Sequence, residues 1–370
     1  MSTDRYPRRG LAVAAAAAAR LTPVACTAAS AAPAVAASPA RAAAPVPGWR
    51  VVQTIGPDRN NVSGLLTSDS ARAAWSVWTG SGPAIVLHGT GSAWTRVSVP
   101  AKLNGDVQSA AAIGASSASD FWLFGTYRST EALRWTGRAW VLQAIPSWVL
   151  RRAGGTLTAT AAVFGPGNVW VFSVGAGGYA AHYNGRTWTK VPLPEVPADV
   201  SVAGSAGVWA LGAEYAMHWT GASWATIRLP VFPLPFGDYA TYGDLTAADA
   251  QDAWMVVSIY NSSHDLVSTI PAYWTGTTWQ LLTSPADILG AMAPDGGGGL
   301  WADGIDINPG GFWLLYHQVG GRWTSGQTPP GVDVHSPTPL TRIPGTHSLW
   351  ATGTASGPKG YYGVILKYGA

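Results

Sequence analysis

Four histidines, His88, His182, His218 and His317, are the residues that first suggest a metal centre in this 370-residue chain. Imidazole is the commonest metal ligand. Each of the four, however, stands six residues before a recurring tryptophan: Trp94, Trp188, Trp224 and Trp323. Other copies of the same pattern place Arg134, Tyr273 and Lys367 there. Equivalent positions of a ring of repeats fan outward and do not converge on one ion, so the spacing predicts a structural polar position, with no metal and no cofactor. A second candidate, Asp303-Gly-Ile-Asp306-Ile-Asn308-Pro-Gly310, has oxygen ligands at alternating positions as calcium loops do. It lacks the full loop and its terminal Glu, and reads as a Gly/Pro/Asn turn.

Other catalytic signatures are missing. The sequence has no Gly-rich phosphate loop, no nucleophile elbow and no Ser/Thr-x-Asp-x-Gly-x-x-Trp box. A Cys–Tyr redox cofactor is excluded because the only cysteine, Cys26, precedes the folded region. The remaining chemistry-bearing residues cluster in four long segments. Segment 146–154 carries Trp148, Arg151 and Arg152, and 230–241 carries Phe232, Phe236, Asp238 and Tyr239. Segment 258–271 adds Tyr260, His264 and Asp265, and 303–313 adds Asp306, Asn308 and Trp313. Aromatics mixed with a few hydrogen-bonding groups suit a sugar or peptide site, where a flat ring covers the apolar face and polar groups fix orientation. The same segments also suit loops packed on one another. A hydrolase or lyase would need two of Asp238, His264, Asp265 and Asp306 to face each other across a pocket.

The elements that must hold these segments are set by an internal repeat. One row of tryptophans follows short turns: Trp75, Trp122, Trp170, Trp209, Trp254, Trp301 and Trp350, at steps of 47, 48, 39, 45, 47 and 49 residues. A second row, Trp94, Trp140, Trp188, Trp224, Trp279 and Trp323, stands three residues after a glycine, with a proline six positions later in all six copies. Each period divides into four short β-rich segments; in the second these are Ser109–Ala115, Phe121–Thr126, Glu131–Trp135 and Ala139–Ile145. Four strands in 40–50 residues is a propeller blade. The recurring proline, having no N–H, ends an exposed outer strand without losing a ladder bond.

One row has seven members and the other six, and the ends of the chain account for the difference. Gly48-Trp49-Arg50-Val51-Val52 has the pattern of an outer strand, and Val364-Ile365-Leu366-Lys367-Tyr368-Gly369 that of a third strand. The fold expected is therefore an all-β, seven-bladed β-propeller of four-stranded antiparallel blades, closed by residues 48–55 completing the last blade. With the two rows and an aromatic third row assigned, only Trp78, Trp148 and Trp313 are left over as candidates for a role outside the repeat.

The charge balance and the leader belong together. Five of the 22 basic residues precede Pro47, leaving 17 basic and 18 acidic residues and a net charge of −1 in the rest. That balance gives no support to nucleic-acid binding. Residues 1–26 read as an export signal: Arg5, Arg8 and Arg9 precede an apolar run from Leu11 to Ala19 that is too short to span a membrane. Arg8-Arg9-Gly10-Leu11 resembles a twin-arginine motif. Cys26, after Val24-Ala25, resembles a bacterial lipoprotein acylation site and would supply the only membrane anchor; the alternative is an incidental cysteine lost with the signal. Residues 27–47, rich in Ala, Pro and Ser, read as a disordered linker, and 48–370 as a single propeller.

The repeat, carried by Asp120-Phe-Trp-Leu-Phe-Gly125 and His218-Trp-Thr-Gly-Ala-Ser-Trp-Ala-Thr-Ile-Arg-Leu-Pro230, resembles the tryptophan-rich propeller repeats of secreted actinobacterial and related bacterial proteins. Its layout is also similar to tectonin-type lectin propellers and to kelch repeats. The resemblance covers 48–370 and implies a fold, with glycan binding as an analogy. The functional expectation is a non-enzymatic, extracytoplasmic binding module, secreted or lipid-anchored and monomeric, for a glycan or cell-wall polymer. The alternatives are a surface protein-interaction scaffold and the hydrolase or lyase above.

Overall fold

The computed structural model describes residues 48–370 except 57–62, 71–72, 81, 92, 126–129, 151–158, 174–177, 203–206, 307–312, 327–328, 330–331, 333, 336–338, 359 and 370. The leader, Cys26, the linker, Arg151, Arg152 and Asn308 lie outside the described residues.

Seven antiparallel sheets form the ring. Blade 1 is Ser63–Ser70, Ala73–Thr79, Ile85–Gly89 and Trp94–Val97; blade 2 is Ala112–Ser117, Asp120–Phe124, Glu131–Trp135 and Trp140–Ala144. Blade 3 is Ala159–Gly165, Asn168–Ser173, Tyr179–Tyr183 and Trp188–Pro192; blade 4 is Asp199–Val202, Val208–Leu211, Tyr215–Trp219 and Trp224–Arg228. Blade 5 is Tyr239–Ala247, Ala253–Tyr260, Leu266–Trp274 and Trp279–Leu281; blade 6 is Ile288–Pro294, Leu300–Ile305, Trp313–Val319 and Arg322–Gly326. Blade 7 has its inner strand in two pieces, Val334–His335 and Leu340–Arg342, followed by Leu349–Gly357 and Gly360–Tyr368. Its fourth strand is Trp49–Ile55, which pairs antiparallel with Gly360–Tyr368 from Trp49↔Tyr368 to Ile55↔Gly363. The Arg50 guanidinium also donates to the Gly369 carbonyl, tying the two ends of the ring together. Among the described residues one element lies outside the repeat: a short helical segment, Ala101–Leu103 and Asn104–Gln108, bridges blades 1 and 2 and buries Leu103 and Val107.

The glycine of the second row has a backbone reason. Gly91, Gly137, Gly185, Gly221, Gly276 and Gly320 all have positive φ, from 56° to 96°, a region costly for any side chain. Each sits in the turn between third and outer strands. Bonds such as Thr136 N–H to Ala139 C=O and Thr220 N–H to Ser223 C=O close these turns.

The apolar core consists of seven clusters, one in each interface between neighbouring blades. At its centre are the second-strand tryptophans. Each is the direct cross-strand partner of the third-strand residue at the position of the four histidines: Trp75↔His88, Trp122↔Arg134, Trp170↔His182, Trp209↔His218, Trp254↔Tyr273, Trp301↔His317 and Trp350↔Lys367. In all seven the polar or cationic group lies over the indole, 4.1 to 5.3 Å from its centroid. The histidines are therefore stacking partners within separate blades. Burial lowers the pKa of His88 and His182, keeping the stacked imidazole neutral. Elsewhere a carboxylate or amide braces the pair: Asp120 takes Trp122 Nε1–H at 2.9 Å and pairs with Arg134 at 2.7 Å, and Asn168 accepts from Trp170 at 3.1 Å.

The next blade completes the joint. Trp49 meets Trp301 edge-on at 5.3 Å, Trp94 meets Trp350 at 5.2 Å, and Trp224 meets Trp170 at 6.2 Å. Each contact crosses a blade interface, and the first two flank the blade closed by the N-terminal strand. Trp78, left over from the repeat, also belongs here: it is buried in the seam between blades 7 and 1 with Ile55, Trp350 and Ile365.

Trp49→Ala should therefore cost about 3–5 kcal/mol, as for other large buried rings, measured by denaturant unfolding. Deleting residues 48–55 should leave an insoluble chain or one with a far lower Tm; unfolding like the intact protein would refute closure by this strand.

Candidate functional site

In each blade the turn joining second and third strands lies on the same face of the ring as the connection to the next blade. Blade 5 projects on this loop face because its first three strands have 9, 8 and 9 residues. The segment 258–271, expected as a long loop, is in fact a strand hairpin with a tight turn at Asn261–Asp265. Val–Ile–Tyr-rich strands simply continue, and Asn261 then closes the turn: its Oδ1 accepts from the Ser263 and Asp265 N–H groups, each at 2.9 Å. His264 takes positive φ, 66°, at the tip. The Pro-rich connection from blade 4 delivers Phe236 and Asp238 beside the hairpin. Gly237, with φ of 91°, lets this connection pass so close that a Cβ there would lie 2.9 Å from that of Ser262.

The fold thus brings together six of the residues expected from sequence. Tyr239 and Tyr260 are cross-strand partners stacked at 5.1 Å with rings 9° from parallel. The Tyr239 hydroxyl lies 3.1 Å from His264 Nδ1. Asp238 Oδ1 accepts from Ser262 N–H at 3.0 Å, and Asp265 Oδ2 accepts from Asn261 Nδ2 at 3.2 Å. Phe236 is fully exposed and Tyr239 exposed, with Val231 (79%) and Val267 (58%) alongside. Phe232, in contrast, packs into the interface between blades 4 and 5.

The other expected residues are elsewhere. Trp148 is half-buried at the rim of blade 3, where its ring meets Tyr179 edge-on at 5.8 Å and Lys190 Nζ lies 5.2 Å from its centroid. Its carbonyl accepts from the Tyr179 hydroxyl at 2.8 Å. Asp306 accepts from Tyr316 on blade 6 at 3.4 Å, and Trp313 is the cross-strand partner of Ile305. Asp238, His264, Asp265 and Asp306 each take a different hydrogen-bond partner: Ser262, Tyr239, Asn261 and Tyr316. No group of three His, Cys, Asp or Glu close enough to hold a metal ion occurs among the described residues.

Two features escaped the sequence reading. Blade 7 carries a second raised hairpin, Leu349–Gly357 with Gly360–Tyr368, whose tip presents exposed Tyr361 against His335 at 5.7 Å. The other is a group of carboxylates on the first two strands of blades 4 to 6. Asp199 and Asp244 stand at equivalent inner-strand positions, each two residues before the partner of its blade's second-strand tryptophan. Asp199 receives the Leu245 and Val200 N–H groups, both at 2.7 Å, yet burial still raises its pKa. Asp244, at a positive φ of 49°, keeps part of its surface exposed. Burial and then the Asp199 charge push it up to about 6.

Asp303 lies behind them, in strand Leu300–Ile305 and not in the turn expected for it. It is fully buried, and neither carboxylate oxygen has a hydrogen-bond partner; the Ala291 and Asp303 N–H groups are near enough to favour its charge only weakly. Burial and then Asp244 push its pKa up to about 8. Gly290 makes room for it, since a Cβ there would lie 2.7 Å from Asp303 Oδ1. A signal was present in the repeat: the same column holds Val77, Phe124, Phe172, Leu211, Val256 and Thr352 in the other blades.

No family model and no curated protein sequence matches the chain. Solved structures do. YCF48 bound to a D1 peptide superposes with a TM-score of 0.56 at 13% identity over 87% of this chain and 97% of that one. YCF48 from Cyanidioschyzon merolae gives 0.51 at 14% over 87% and 98%. The extracellular domain of a putative hybrid two component system, BT4673, from B. thetaiotaomicron gives 0.54 at 12% over 86% of this chain and 40% of that one. At these identities the likeness is one of fold, and it supports the seven-bladed propeller.

The Asp303 environment has a measurable consequence. Below its ordinary value of 3.8 the carboxyl is protonated in both folded and unfolded chains. Between there and about 8 the folded chain keeps a proton that the unfolded chain has released, so stability falls as pH rises through this window. Denaturant midpoints should be higher at the acidic end of the window than at its upper end, and Asp303→Asn should flatten the difference. An unchanged pH slope in the variant would show that Asp303 titrates normally.

Proposed function

We propose that this protein is an exported binding module that holds a glycan or cell-wall polymer on the ridge of blade 5. The observation that carries the reading is the exposed aromatic group there: Phe236 stands free in solvent, and Tyr239 lies on Tyr260 beside His264. Flat rings cover the apolar face of a sugar, and the neighbouring Asp238, Asp265 and His264 supply hydrogen bonds at the ring edges. Tyr239 is held from below by Tyr260 and from the side by His264, so little side-chain freedom is lost on binding. The rigid ring beneath suits a site carried on projecting loops. Export rests on the leader, with acylation of Cys26 as the means of anchoring.

A second reading, contact with a surface protein, is favoured by the aliphatic exposure of Val231 and Val267, since apolar patches rimmed by polar groups mark protein contacts. It shares the same ridge and differs in its ligand.

The test is calorimetric titration of the purified protein with a panel of glycans and cell-wall fragments. Phe236→Ala and Tyr239→Ala should each weaken binding by about tenfold or more, the effect of losing an aromatic anchor, without changing the unfolding midpoint. Trp148→Ala, whose ring is engaged with Tyr179 and Lys190 on another blade, should bind as the parent does. No saturable binding anywhere in the panel would defeat the glycan reading and turn the search to protein partners.

A further inference from the structure

Charge is segregated around the ring. Between Lys190 and Arg322, the stretch that contains nearly all of blades 4 to 6, the sequence has twelve carboxylates and one guanidinium, Arg228. The rest of residues 48–370 has six acidic and sixteen basic residues. A net charge of −1 therefore conceals one arc at −11 and another at +10. On the acidic arc, Glu214, Asp238, Asp265 and Asp287 stand in loops of the same face as the aromatic ridge, and Asp199 and Asp244 stand at equivalent positions of the inner strands of blades 4 and 5.

We infer that this face takes a polycationic glycan, one whose sugars carry free amino groups that are protonated at neutral pH. The inference rests on the glycan reading of the ridge and names the ligand's charge. Three observations carry it. First, the carboxylates are spread over three blades and do not gather into a metal-holding group among the described residues, so they match distributed positive charge better than a single ion. Second, Asp303 is fully buried behind Asp244 with neither oxygen hydrogen-bonded. The charges of Asp199 and Asp244 repel each other, and no described cation offsets them; an ammonium held beside Asp244 would relieve that repulsion. Third, the exposed rings stand next to carboxylates, Tyr239 beside Asp238 and His264 beside Asp265. An amine borne directly on a pyranose puts its charge within a ring's width of the stacked face, and aromatic faces themselves attract cations. A basic peptide carries its charges at the ends of long stems and makes less use of the flat rings. The field of the acidic arc would also steer such a polymer to the correct side of the ring.

The experiment is titration of the purified protein with a soluble glucosamine oligomer bearing free amines, its fully N-acetylated counterpart of the same length, and an oligolysine of matched charge. The free-amine oligomer is expected to bind, about tenfold or more tighter than the acetylated one, as befits charge-assisted contacts, and to weaken as salt screens the face. Asp244→Asn should weaken the free-amine oligomer and leave the acetylated one unaffected, whereas Phe236→Ala should weaken both. Equal affinity for the two sugars would overturn the charge inference while leaving the glycan reading in place. Oligolysine binding as tightly as the amino sugar would overturn it in favour of a basic protein segment. Binding of none of the three would overturn the charge inference, and the glycan reading then stands or falls with the wider panel.

Discussion

The structure depends on one repeated contact: a second-strand indole, covered on its own blade by a cationic or polar third-strand side chain and met by an aromatic ring of the neighbouring blade. Trp301 shows it fully, with His317 lying 5° from parallel over it and both Trp49 and Tyr368 of blade 7 against it. A wedge-shaped blade has a broad outer side to fill, and indole offers much apolar area with few rotatable bonds. The covering group varies among His, Arg, Tyr and Lys because any of these attracts the face of the ring. That tolerance explains how four histidines at one repeat position can look like a metal set and belong instead to four separate joints.

Closure follows from the same contact. Without Trp49–Ile55, blade 7 would lack its outer strand, the Gly360–Tyr368 edge would be unpaired, and Trp301 would lose the edge-on contact with Trp49. Pairing the nine-residue Gly360–Tyr368 edge removes the templating hazard of a long open strand and leaves only the short outer edges of the blades. The stability of the ring is therefore shared by all seven interfaces, which frees individual loops to vary. Blade 5 uses that freedom to raise a hairpin, blade 7 raises another, and blade 6 gives up an apolar core position to Asp303. A buried carboxyl with no hydrogen bond is a cost to the fold, and the large apolar interfaces on either side are what make it tolerable. The acid sits on the same arc as the aromatic ridge, so the local departures from the repeat gather on blades 4 to 6.

The sequence by itself determined the architecture. The two tryptophan rows, the positive-φ glycines and the outlying Trp49 pattern specify blade number, strand order and ring closure, because each is a local requirement repeated at fixed spacing. The third strand of blade 2, Glu131–Trp135, is legible to the residue; the inner strand, expected at Ser109–Ala115, starts later at Ala112 because the Asn104–Gln108 helix and its following turn occupy the approach. The sequence also singled out Phe236, Asp238, Tyr239, Tyr260, His264 and Asp265.

Only the tertiary structure decided which of these meet. Tyr239 and Tyr260 lie 21 residues apart and stack because antiparallel register places them opposite each other; the pattern of a long loop and that of a lengthened hairpin are the same until pairing is known. Trp148 and Trp78 look equally unassigned in the sequence. Packing makes the first a rim contact with Lys190 and the second part of the closing seam. The proximity of Asp199, Asp244 and Asp303 was invisible for a related reason. Electrostatic coupling depends on distance through space, and three acids on three blades, two on inner strands and one on a second strand, become neighbours only when the ring brings the blades side by side.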